Sequence, residues 1–297
     1  DSQLALNEED GNQSEDVSLW DKMMTLPQYL IPQHTLSLFM YRLTRCEVVW
    51  FKNVFIRFIT RQYKVNMAEA AETDLATYPS FNAFFTRLLK EGVRPIADND
   101  IVSPVDGVVS QAGPIVSGQI VQAKGQDYSV LSLLGGDDAL TAEFVGGQFA
   151  TIYLSPKDYH RIHMPVTGKL RKMRYVPGDL FSVSPRTART VPDLFARNER
   201  VVVTFDTELG PMVMVLVGAI FVGSMATVWS GQITPGYGKA VRQWTYDDAE
   251  PMMIEKGQEM GRFNMGSTVV LLFGEQAVTF NDQIVAEMPI QLGHGMV

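Results

Sequence analysis

Ser267 follows Gly266 where a turn feeds an apolar run. Gly266 has no Cβ, so its carbonyl carbon is open to the hydroxyl of the next residue. A serine hydroxyl is a weak nucleophile until a base takes its proton. A histidine oriented by a carboxylate is a recurrent arrangement for that task. The sequence holds four histidines, His34, His160, His163 and His294, and only His160 and His163 lie close together. Either can exchange a proton near neutral pH. Their His-x-x-His spacing is also half of a metal site, but no cysteine or further histidine cluster completes it, so no metal is expected. Asp106, in Pro104-Val-Asp-Gly107, is a carboxylate that on its own reads as a turn residue. Lys157, Asp158 and Arg161 crowd the histidine segment, where a solvated loop face is the ordinary reading and a phosphate or carboxylate held by the two basic residues is the functional one. On a strand His160 and His163 would face opposite sides, and on a helical turn they would share one. Pro156 and Pro165 bracket them and suggest an irregular loop.

Positioning these groups falls to the rest of the chain. Residues 268–273 are β-branched and apolar, which suits a buried strand. Further short β-rich runs are 105–109, 119–123, 148–154, 168–176, 200–205, 212–217, 226–229 and 276–280, many separated by Gly, Pro, Asn or Asp. The pattern predicts mostly helix over 68–90, with Ser80 as an N-cap, a short helix over 128–134, and a loop over 184–194. Many short strands with few helices argue for a sandwich or barrel.

Composition bounds the class. The 297 residues allow one large or two small domains, and 46% are apolar, enough for a substantial core. The net charge of −8 gives no support to nucleic-acid binding. A single cysteine, Cys46, rules out an internal disulfide. Residues 1–25 read as a polar tail. Residues 26–95 form an N-terminal helical region, and 96–297 a β-rich domain. Within the first of these, residues 36–65 combine many Phe, Trp and Leu with six basic residues against one acid, Glu47. Basic helices rich in aromatics lie flat on anionic bilayers. No apolar run after Pro32 is long enough to span one.

Met265-Gly-Ser-Thr268 resembles the Leu-Gly-Ser-Thr self-cleavage motif of phosphatidylserine decarboxylases, with Met265 where that family usually has Leu. The swap roughly keeps volume and polarity. Residues 153–165, with both histidines, are similar to the family's paired-histidine segment, and 103–109 to its aspartate segment. Residues 81–87, 175–183, 194–200 and 256–263 match in the same order. The resemblance runs from near Leu26 to near Pro289. It implies an α+β, mainly β fold with a barrel-sandwich, lipoyl-carrier-like core and amphipathic, membrane-associating N-terminal helices. It also implies self-cleavage at 266/267 into a large chain, 1–266, and a small chain, 267–297.

Decarboxylating an amino acid needs an electron sink, which unmodified side chains do not supply. The resemblance implies that Ser267 becomes one. Its hydroxyl attacks Gly266, the peptide becomes an ester, elimination cuts the chain, and hydrolysis leaves a pyruvoyl group and ammonia. By motif position His163 would be the base and Asp106 its orienter. His160 would return a proton to the α-carbon after a Schiff base between the pyruvoyl group and phosphatidylserine loses carbon dioxide, giving phosphatidylethanolamine. The setting implied is peripheral, on the cytoplasmic face of the cytoplasmic membrane. The apolar helices could also pair in a homodimer. Two other readings stand beside it, the first of them on the same residues. A Ser-His-Asp hydrolase would keep Ser267 intact and exposed, often in Gly-x-Ser-x-Gly, which Gly-Ser-Thr-Val does not match. The other is a non-enzymatic carrier or membrane-binding module; a lipoyl-type carrier would need a lysine on a hairpin tip, for which Lys256-Gly257 is the nearest candidate. Chain integrity separates the first reading from both.

Overall fold

The structure is a computed structural model that describes residues 18–221, 224–236, 238–246 and 249–297. Most of the expected polar tail lies outside the described residues. Its last turn is helical: α1, Leu19–Thr25, is N-capped by Ser18, whose Oγ accepts from Trp20 N at 3.2 Å. Helices α2 (Gln33–Thr44) and α3 (Val49–Tyr63) follow. The side chain of Gln28 accepts from Ser182 N at 2.8 Å, and that of Gln33 from Leu180 N at 2.7 Å, tying these helices to the β-rich body.

The helix expected over 68–90 is absent, apart from a single 3₁₀ turn, Met67–Glu69, and α4, Phe81–Phe85. Side chains capture the intervening backbone instead. Asp74 Oδ1 accepts from Ala76 N, and the Tyr78 hydroxyl donates to Glu72 O. Such local bonds compete with helix. Ser80 does cap α4, accepting from Ala83 N. Phe81, Phe84 and Phe85 then form a small core with Ile56 of α3.

The main sheet has nine strands. In chain order its members are β1 (Gly107–Pro114), β4 (Gln148–Tyr153), β6 (Gly168–Val176), β7 (Arg200–Thr207), β8 (Gly210–Val217), β11 (Arg242–Thr245), β12 (Met253–Ile254), β14 (Thr268–Phe273) and β15 (Pro289–Ile290). They run antiparallel in the order β11-β6-β7-β8-β14-β4-β1-β15, with β12 also on β6. A second sheet has the order β10-β9-β13-β5, from Gly231–Gln232, Met225–Thr227, Glu259–Phe263 and Arg161–His163. A hairpin joins β2 (Gln119–Ala123) to β3 (Gln126–Ser129).

All six residues of β14 are buried between β4 and β8. Each fully buried large aliphatic side chain there contributes about 1.5–3 kcal/mol. The fold is therefore α+β and mainly β, as expected. Two local expectations fail and a third holds over a shorter span. Residues 276–280 form no strand: Gln276 has φ +60° in a turn closed by Ala277 N to Gly274 O, while Phe280 packs edge-on to Phe273. Within 184–194 a helix, Pro185–Thr190, replaces the expected loop, because proline at the first helical position starts a helix rather than breaking one. The helix expected over 128–134 shrinks to Val130–Leu133, with Tyr128 belonging to β3.

Candidate active site

Ser267 stands one residue before β14. Its carbonyl accepts from Leu154 N at 2.8 Å, and the next residue, Thr268, pairs with Tyr153 on one side and Val217 on the other. The two ladders fix the serine backbone. Its side chain is fully buried, and Oγ has no hydrogen-bond partner. Buried hydroxyls are normally paired. The residue before it is equally confined: a Cβ on Gly266 would lie 3.3 Å from Leu154 O and 3.4 Å from His160 Nε2. The His160 ring thus lies against the Gly266-Ser267 peptide.

His160 comes from the residue just before β5, where its carbonyl accepts from Phe263 N at 3.0 Å. It is 0% exposed, and its ring stacks on Phe85 of α4 with centroids 4.1 Å apart. Nδ1 lies 2.8 Å from Asp158 O. A carbonyl only accepts, so Nδ1 donates, and Nε2 is left as a lone pair. That lone pair has no partner. Burial, helped by the nearby Arg87 charge, pushes the imidazole down to about 3, so it is neutral at physiological pH.

His163 lies on β5 and turns away from that contact. Its Nδ1 donates to Gly257 O at 2.8 Å, and Nε2 accepts from the Tyr159 hydroxyl at 3.2 Å. Burial lowers its pKa, opposed by the bond to Gly257 and by the Glu259 and Asp106 carboxylates. The expected hydrogen bond between His163 and Asp106 is not formed. Instead, Arg94 grips the Asp106 carboxylate, Nε at 2.9 and 3.1 Å and Nη2 at 2.6 Å, and Leu292 N donates to Oδ1 at 2.8 Å. The two segments are still neighbours, since His163 N donates to Pro104 O at 2.9 Å. Three of the five expected residues, Ser267, Gly266 and His160, thus meet at one point, with His163 and Asp106 adjacent but separately bonded.

Residues 81–297 match the family model for phosphatidylserine decarboxylase, and residues 24–64 match a model described as PSD. The chain is 54% identical over 277 residues to a phosphatidylserine decarboxylase proenzyme of Nitrosococcus oceani, covering 93% of this chain and 90% of that one. It is 53% identical to that of Pseudomonas fluorescens, covering 93% and 96%. A Polaromonas relative of the same name is 54% identical, with 93% and 98% covered. The chain belongs to the phosphatidylserine decarboxylase family.

In this phosphatidylserine decarboxylase family member the loop entering the Gly-Ser peptide is tethered by side-chain hydrogen bonds that sequence reasoning missed. Asn264 N donates to Ser224 O at 2.9 Å, and Asn264 Nδ2 reaches both Ser224 O and Oγ. Asn82 Nδ2 donates to Asn264 O at 3.2 Å and to its Oδ1 at 3.1 Å, and Arg45 Nη2 donates to Ser224 Oγ at 3.0 Å. Only the polarity of Asn264 within an apolar stretch signalled this. Its partners are 40 and 182 residues away. Arg94, the partner of Asp106, carried no local signal. Beside Gly266 opens a cavity of about 440 Å³, whose lining includes Tyr63, Tyr153, Ser182, Phe221 and Met265.

Proposed function

We propose that this chain is a proenzyme that cuts itself between Gly266 and Ser267 and then converts phosphatidylserine to phosphatidylethanolamine and carbon dioxide. The observation that carries the reading is the buried Gly266-Ser267 peptide with two unpartnered polar atoms, Ser267 Oγ and His160 Nε2, in its immediate surroundings. An ordinary hydrolase would present its serine to incoming substrate, whereas Ser267 is fully buried behind the peptide it belongs to. In the cut, a bond forms from Oγ to the Gly266 carbonyl carbon and the Gly266–Ser267 C–N bond breaks, freeing the amine of residue 267. Loss of the Cα proton with cleavage of Cβ–Oγ then releases Gly266 as a carboxylate.

A pyruvoyl ketone at position 267 would supply the electron sink that decarboxylation requires. The surroundings fit such a group: Ser267 and His160 are fully buried, and Nε2 of His160 has no hydrogen-bond partner. His160 takes up a proton there and returns one to the substrate α-carbon. His163 is assigned the proton of Ser267 during the cut. Burial lowers its pKa, and the Glu259 and Asp106 charges oppose that by favouring its protonated form, whereas no carboxylate supports His160 in the same way. Asp106, clamped by Arg94, supports His163 through its charge and through the Pro104 contact. The nine-stranded sheet is compatible with the barrel-sandwich core expected of the family. The direct test is to incubate cut protein with phosphatidylserine before and after hydroxylamine, which captures ketones. Equal yields of phosphatidylethanolamine and carbon dioxide, abolished by hydroxylamine, are expected, and turnover indifferent to it would refute the reading.

Gly266→Ala tests the cut from the other side. The added methyl would sit within 3.4 Å of both Leu154 O and His160 Nε2. A misplacement of about 1 Å costs about 100-fold in reactions that depend on alignment. The variant is therefore expected to cut at least tenfold more slowly in a gel time course, and cutting at the wild-type rate would argue against this peptide as the reacting bond.

The site is placed at a membrane surface. Among the described residues no helix is long and apolar enough to cross a membrane. Trp20, Leu30, Phe39, Trp50 and Phe58 are nevertheless more than half exposed on the helical region. A peripheral seat on the cytoplasmic face of the cytoplasmic membrane would cover them, and the apolar cavity beside Gly266, lined in part by Tyr63 of α3, would admit the lipid head group from there. Trp50→Glu with Phe58→Glu should lower the fraction that floats with phosphatidylserine vesicles by at least tenfold, because burial of each large apolar side chain is worth about 1.5–3 kcal/mol. Unchanged flotation with a loss of dimer on sedimentation would assign the surface to a second copy instead.

A further inference from the structure

A second cavity of about 310 Å³ opens near the histidine segment. The two cavities share a wall: residues 156–159 give Pro156 to the apolar one and Lys157, Asp158 and Tyr159 to this one. Its charges sort by partner. Asp106 is held by Arg94 and Leu292 N, and Glu69 by Arg94. Asp158 Oδ2 accepts from both Ser155 N and Ser155 Oγ at 2.7 Å. The carboxylates are thus occupied within the protein. Three cations that line it, Lys64, Arg87 and Lys157, form no ion pair among the described residues, although the Asp106, Glu69 and Asp158 charges lie near enough to act on Arg87, and Lys157 acts on Asp158. Lys64 and Lys157 are exposed, which is unremarkable. Arg87 is different, being only 4% exposed. Its Nη2 donates to Lys157 O at 3.2 Å and its guanidinium lies 5.5 Å from the centroid of the Phe84 ring, but Nε and Nη1 have no hydrogen-bond partner among the described residues.

A buried guanidinium with two of its three nitrogens left without an acceptor is costly. Its planar fork matches a phosphate or carboxylate. We propose that this cavity is an anion site for a phosphate group, in which Arg87 forms the buried floor and Lys64 and Lys157 the rim. Phosphate suits it better than carboxylate because three separate cations converge, and a phosphate presents more acceptor oxygens than a carboxylate does. The same chemistry is offered by a phospholipid head group and by free phosphate. Lys64 caps the C-terminal end of α3, the helix that exposes Trp50 and Phe58, so either source has access. The site also borders the reaction centre, since His160 Nδ1 donates to the carbonyl of Asp158, one residue beyond the carbonyl that Arg87 holds.

The test is calorimetry on the purified full chain with two soluble probes at constant ionic strength, inorganic phosphate and the diester glycerophosphoglycerol. One-to-one binding of at least one probe is expected. Lys64→Gln with Lys157→Gln should weaken it by about tenfold or more, as expected for loss of charged hydrogen-bond donors. These rim residues are exposed, so an unchanged melting temperature should confirm folding. Arg57→Gln with Arg61→Gln removes the same charge from exposed positions of α3 outside the cavity and should leave binding intact. Tighter diester binding assigns the site to lipid head groups, and tighter phosphate binding to the soluble anion. No binding of either probe, or equal weakening by both pairs of substitutions, would overturn the proposal.

Discussion

Ser267→Ala is expected to leave a single uncut chain and no measurable decarboxylation. The hydroxyl is the only atom at this position that can attack Gly266, and it is also the source of the ketone. The substitution should not unfold the protein. Ser267 Oγ is buried with no hydrogen-bond partner, so its removal breaks no bond and spares the desolvation of an orphan polar atom, a term of about 1–3 kcal/mol. The uncut variant is therefore expected to melt at or above the temperature of wild-type precursor caught before cutting. A gel, a product assay and a melting curve check the three statements. Activity retained by the variant would remove the serine from the chemistry.

The second large effect separates the two histidines. His160→Ala is expected to cut, yet to lose about 10²–10⁴-fold in decarboxylation, the usual share of a positioned proton donor. His163→Ala is expected to accumulate uncut. The pH dependence of cutting follows from the same assignment. A base acts when neutral, and the pKa of His163 is lowered from its ordinary 6.5. Cutting should thus be level above neutrality and fall only as the pH drops below about 6.5 through that lowered value. The geometry defines the contrary result clearly. The Nε2 lone pair of His160, not that of His163, faces Gly266 in the uncut chain. If His160→Ala stayed uncut while His163→Ala cut normally, His160 would be the base for both steps, and proximity would have outweighed basicity.

These roles rest unequally on the sequence. The strand after Ser267 was legible because β-branched Thr268, Val269 and Val270 lead into apolar Leu271, Leu272 and Phe273 without a charged residue, as suits a strand buried on both faces. The serine and its glycine were legible because they sit together in a short motif. The opposite orientation of His160 and His163 follows from strand alternation, although the flanking prolines pointed to an irregular loop and β5 is only three residues long. What could not be read was the pairing of distant groups. Asp106 reads as the natural partner of a histidine, but Arg94 takes its carboxylate, and nothing local in the sequence ranks one cation above another. The same holds for Asn264, Ser224 and Asn82, which meet across three elements. Residues 68–90 were misread because helix propensity was weighed without the side-chain to backbone bonds of Asp74 and Tyr78.

An intact-mass spectrum of the denatured protein tests the central claim most directly. Two chains are expected, 1–266 and 267–297 of this sequence. The small one should be about 17 Da lighter than a form beginning with serine, because converting that residue to a carbonyl cofactor removes the elements of ammonia. A single chain near 33.1 kDa that still releases carbon dioxide from phosphatidylserine would contradict it.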